Sequence, residues 1–133
     1  MDVQEVRKLD AYLKRLFGNP QVKVVPKKAD VADVYIGEQP VANLSVDDED
    51  GDRSFQFEMT IKNADVQDLR KLDGHLKGVF GNPRIRVVAR PKKDDSAEVY
   101  IGDQFVGVLF DDGGRSVFQM AILEDDLLEQ EQD

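Results

Sequence analysis

Val3–Val25 reads VQEVRKLDAYLKRLFGNPQVKVV, and Val66–Val88 reads VQDLRKLDGHLKGVFGNPRIRVV. The two stretches align without a gap, and 14 of their 23 positions are identical. Self-similarity on this scale marks a tandem duplication, so every later segment is read twice. Each stretch opens as a helix. Asp2 with Glu5, and Asp65 with Asp68, take the N-cap and N3 positions of an acidic capping box. Val6, Leu9, Leu13, Leu16 and Phe17, then Leu69, Leu72, Leu76, Val79 and Phe80, recur at helical spacing and give each helix one apolar stripe. Gly18 and Gly81 stand where a left-handed residue ends a helix, and Pro20 and Pro83 block its continuation.

Four strands follow in each copy. Val22 and Val24 (Ile85 and Val87) start a sheet, and Val34–Ile36 (Val99–Ile101) continue it. A turn at Gly37 or Gly102 leads into Val41–Val46 (Val106–Phe110), and an acidic tip, residues 47–52 or 111–114, leads into the last strand. There Phe55, Phe57, Met59 and Ile61 alternate with Gln56, Glu58 and Thr60, the period of a sheet with one covered and one wet face.

The expected fold class is α+β: two αββββ repeats, antiparallel sheets each with one helix, related as a pseudo-twofold fused dimer. The repeats span residues 1–62 and 63–123. Only Asn63 and Ala64 separate the last strand from the next helix cap, so the halves are expected to share a core in one compact body. Residues 124–133 form an acidic tail with Leu127 and Leu128 alone to bury, and it is expected to fray.

At LFGNP (residues 16–20), RVVARPKKDDSAEVYIGDQFVGVLF (86–110) and FQMAIL (118–123), the unit resembles a family of small alphaproteobacterial proteins classed only as a domain of unknown function. Members of that family are about the length of one copy. The resemblance runs through nearly all of the second copy, Val66 to Leu123, while the first departs at residues 27–32 and 40–45. It implies no activity, cofactor or catalytic residue. The tandem form departs from the family's and suggests a natural fusion or an engineered one.

Charge and composition remove several function classes. The 133 residues carry a formal charge of -9, and binding to phosphate-rich surfaces needs a basic face, so nucleic acid and anionic membrane are not expected partners. Without cysteine there is no disulfide, thiolate metal site or cysteine nucleophile. The N-terminus is acidic and lacks a signal-peptide core, and no apolar run reaches membrane-spanning length, so the expected compartment is the cytoplasm. The single histidine, His75, has no serine partner in a nucleophile motif, and no glycine-rich loop precedes a helix. No catalytic residue and no cofactor are expected, and the chain is not read as an enzyme.

Two candidate sites remain. Asp47, Asp48, Asp50 and Asp52 cluster around Gly51 and could hold a divalent cation. Their spacing fails the helix-loop-helix calcium template, because with Gly51 at its glycine Val46 falls on the first ligand position and Phe57 on the last. The other candidate comes from the differences between copies. Val41, Asn43 and Ser45 align with Val106, Val108 and Phe110, so alternation gives the second copy a wholly apolar face where the first is half polar. Gly74 and Gly78 replace Ala11 and Arg15, which would let another backbone come close to the helix. The leading expectation is a non-catalytic protein-interaction or structural module acting through Val108, Phe110, Gly74 and Gly78. Its partner would be a second copy, as a homo-oligomer, or an unidentified protein. Cation binding at the tip is the alternative.

Overall fold

The computed structural model describes residues 1–48 and 51–128. Helix α1, Val3–Phe17, begins with the full capping box: Asp2 accepts from Glu5 N at 2.8 Å and Glu5 accepts from Asp2 N at 3.3 Å. It ends at Gly18 with φ of 61°, a conformation that costs a residue with a Cβ about 1 kcal/mol or more. Helix α2, Leu69–Phe80, starts later than the sequence suggests. Its N-cap is Asp68, whose carboxylate accepts from Lys71 N at 3.2 Å. Asp65 instead accepts from Gln67 N in a preceding turn, and that turn carries Ala64 and Val66 into the core. Burying these two apolar groups outweighs one more helical turn.

Four strands follow each of these helices: β1 Val22–Lys28, β2 Val31–Ile36, β3 Gln39–Asp47 and β4 Ser54–Ile61 after α1, then β5 Ile85–Arg90, β6 Lys93–Ile101, β7 Gln104–Asp111 and β8 Ser116–Leu123 after α2. They form one sheet rather than two, in the order β1-β2-β3-β4-β8-β7-β6-β5. The two hairpins that correspond, β2–β3 and β6–β7, each break register at the same place, between Val34 and Tyr35 and between Val99 and Tyr100. A bulge of this kind shifts the alternation by one residue. Val106 and Gly107 are therefore both buried, and Val106 does not share the half-buried environment of Val108 and Phe110.

The chain divides into two compact units, and the division does not follow the repeats. Unit 1 is Met1–Phe57 with Ala121–Asp133, and unit 2 is Glu58–Met120. In unit 1, Leu9, Leu13 and Phe17 of α1 are buried with Val22, Val34, Leu44, Phe55 and Phe57, and the Phe17 and Phe57 rings lie 5.9 Å apart. Ile122, from the second repeat, and Leu127, from the tail that follows it, belong to this core at 0% and 4% exposure. Unit 2 buries Leu72, Leu76 and Phe80 of α2 with Ile85, Val99, Leu109 and Phe118, and it includes Met59 and Ile61 from the first repeat.

Glu124–Leu128 form a short helix, α3, that packs on α1. α3 buries Leu127, whose removal from water favours this packing. The rest of the tail, residues 129–133, lies outside the described residues. Among the described residues no helix is long and apolar enough to cross a membrane.

Candidate functional site

Unit 2 has a sheet face turned away from the side chains of its core, and cross-strand pairing defines what that face carries. One row is Arg86–Tyr100–Phe105. The next is Val88–Glu98–Val108–Gln119, extended by a 3.0 Å hydrogen bond from Gln119 Nε2 to Glu58 on β4. The third is Ser96–Phe110–Val117, with Arg90 donating to Ser96 Oγ at 3.2 Å. Val108 and Phe110, the residues singled out by comparing the copies, sit side by side in the second and third rows and are half-buried. Two further members complete the face, and Phe105 could not be read from alternation because the bulge turns it there. Phe105 is 49% exposed and meets Tyr100 edge to face at 5.7 Å, and Arg86 lies 5.3 Å from the Tyr100 ring on the same row.

The matched positions in unit 1 are wetter. Asn43 is exposed where Val108 is half-buried, and Ser45 stands in place of Phe110. Cations also concentrate on one side in unit 2: Arg86 and Arg90 lie on β5, at one end of the rows, while Glu58 lies on β4 at the other.

Gly74 and Gly78 are exposed on α2, and a Cβ added at either meets nothing within 4 Å. The structure therefore does not join them to Val108 and Phe110, which lie on the sheet. Glycine in a helix interior costs about 1 kcal/mol relative to alanine. Gly74→Ala and Gly78→Ala are each expected to raise unfolding stability by about that amount, measured by urea denaturation; a loss of stability would show that these positions are crowded.

The acidic tip is partly committed to ion pairs. Arg53 forms a two-pronged pair with Glu5, Nε to Oε2 at 2.6 Å and Nη2 to Oε1 at 2.9 Å, and lies 3.8 Å from Asp48. The hydrogen bond to Glu5, against the opposing effect of burial, raises the guanidinium's pKa above its ordinary value. Asp47, Asp52, Arg53, Leu123 and Glu124 border an open cleft of about 520 Å³ in unit 1. Among the described residues no three acidic or histidine side chains are grouped to hold a metal ion, and Asp50 lies outside the described residues. His75 is exposed on α2.

One paired feature escaped the sequence reading. Asp10 on α1 accepts from Val24 N at 2.9 Å, and Asp73 on α2 accepts from Val87 N at 3.1 Å. Each carboxylate also pairs with a lysine one helical turn on, Lys14 and Lys77. Burial pushes the Asp73 carboxyl up, but the bonds from Lys77 and Val87 N outweigh it and hold the group below the usual carboxylate range. A depressed folded-state pKa means this contribution to stability is present above the unfolded value near 3.9 and is lost as pH falls through the lower folded value. The signal was available: LDxxLK survives unchanged in both copies while Ala11 becomes Gly74 and Tyr12 becomes His75.

A family profile described as Protein of unknown function (DUF3126) matches the chain twice, over residues 5–65 and 68–126. No curated protein and no solved structure matches it.

Proposed function

The chain belongs to this family of unknown function and carries its domain twice, and we propose that it is a non-catalytic association module that pairs with a second copy of itself through the open sheet face of unit 2. The observation that carries the reading is the three-row face itself: Tyr100, Phe105, Val108 and Phe110 gathered on the side of the sheet away from the core, where the first repeat has Asn43 and Ser45 in place of Val108 and Phe110. Exposed apolar patches of this kind mark association sites in folded proteins. The charges favour a second copy as the partner. A twofold axis along the strands brings Arg86 and Arg90 of one chain over Glu58 of the other, so the face complements itself.

The duplication fits the same reading. In repeat terms the strand order is the same from either edge, and each compact unit takes a segment from the other repeat. We read the chain as the fused counterpart of a dimer of single-copy proteins, with its pseudo-twofold arrangement kept in one polypeptide.

The test imports the first repeat's residues. Val108→Asn with Phe110→Ser places side chains that the matched strand β3 already carries, so the scaffold tolerates them. The expected result is a folded monomer where the unaltered chain is a dimer, read by light scattering on the eluting peak, with circular dichroism confirming the fold. An altered chain that stays dimeric would sink the reading. The harsher Phe110→Asp is expected to give the same monomer.

A further inference from the structure

On an antiparallel edge strand every second N–H points away from the neighbouring strand, into the space where another strand can add. On β1 these positions are Val22, Val24 and Pro26; on β5 they are Ile85, Val87 and Ala89. Val22 N and Ile85 N donate to the carbonyls of Asn19 and Asn82, each at 3.3 Å. Val24 N and Val87 N donate to the carboxylates of Asp10 and Asp73. Pro26 has no N–H to offer. Of the six positions, Ala89 alone presents a donor with no cap.

We propose that Asp10 and Asp73 are edge guards, carboxylates placed from the helices over the outer strands so that the edge of another copy of this chain cannot add to β1 or β5. Two effects combine. The carboxylate occupies the N–H that an incoming carbonyl needs, and its charge repels the oxygen lone pairs of that carbonyl. Lys14 and Lys77 hold each guard in place by pairing with it from the same helix. The guards deny open-ended edge growth and so leave the sheet face as the route of association. The inference does not depend on the face being used, because the same geometry recurs in both units.

The two edges are not equally protected. Pro26 backs up Asp10 on β1, whereas Ala89 stands at the matched position on β5 and leaves Asp73 without support. Losing Asp73 is therefore the more damaging change.

The experiment is run in the Val108→Asn, Phe110→Ser background, which removes the face from the measurement. There Asp73→Ala is expected to give particles whose mass grows with protein concentration, while Asp10→Ala grows less. Asp73→Asn, whose amide oxygen still accepts, is expected to stay small. Adding Ala89→Pro to Asp73→Ala is expected to suppress the growth. A folded Asp73→Ala chain of constant mass at every concentration overturns the proposal. Should that variant not fold, amide exchange in the unaltered chain decides: Val24 and Val87 are expected to exchange roughly tenfold or more slower than Ala89, as a bond to a charged acceptor implies. Equal rates at the three amides overturn it.

Discussion

Cut after Lys62, the first repeat is expected not to exist as a folded monomer. Unit 1 takes Ile122 from β8 and Leu127 from α3, and a fragment of residues 1–62 has neither. Each lost side chain removes about 1.5–3 kcal/mol of burial, which is most of the stability that a fragment of this size can hold. The cut also leaves β4 as an open edge strand, paired with β3 alone, whose covered face carries Phe55, Phe57, Met59 and Ile61, since its other neighbour β8 is gone. Two fragments can repair the loss by supplying β4 to each other, so the expected products are a dimer or an unfolded chain. Sedimentation with circular dichroism distinguishes them. A folded monomer of residues 1–62 would show that the repeats are independent and that the exchange of segments is incidental.

Gly107→Ala is expected to destabilise the chain by about 1–3 kcal/mol, the usual cost of forcing extra atoms into a packed core. A Cβ at Gly107 would lie 2.5 Å from the Gln119 carbonyl oxygen and 2.6 Å from Phe118 Cε1. The first neighbour is backbone and the second is the edge of a ring with no exposed surface, so neither yields cheaply. The reason is local. β7 crosses the Phe118 ring just past its bulge, and only a residue without a side chain lets strand and ring approach this closely. Ala42 occupies the matched position of the first repeat, which makes the effect specific to unit 2. Urea denaturation of the variant measures it, and an unchanged midpoint would mean that the strand can move aside.

What the sequence made legible follows from the range of the interactions involved. The caps at Asp2, Gly18 and Gly81 and the alternation of β4 depend on near neighbours, and all are found where those residues place them. The start of α2 was misplaced because Asp65 and Asp68 are equally good caps locally. The choice between them rests on Ala64 and Val66 entering the core, which is not a local matter. The single sheet depends on β4 lying beside β8, two strands whose patterns say which face is covered but not which neighbour each will take.

The candidate site was half legible in the same way. Val108 and Phe110 stood out because the copies differ there, and each is half-buried on the face away from the core. Val106 was grouped with them wrongly, since a bulge leaves no trace in an apolar alternation. Nothing local distinguishes Asp10 and Asp73 from solvated helix charges, because their partners on β1 and β5 lie fourteen residues on. At the tip, Asp48 read as a candidate cation ligand, and the pattern gave no sign that Arg53, drawn in by Glu5 from the far end of the repeat, lies 3.8 Å from it.

Sedimentation velocity of the unaltered chain over a hundredfold range of concentration tests the central claim most directly. Pairing through a self-complementary sheet face predicts one dimeric species that dissociates to monomer on dilution and does so more readily at high salt, because Arg86, Arg90 and Glu58 contribute to it. A chain that sediments as a monomer at every concentration and salt would contradict the account.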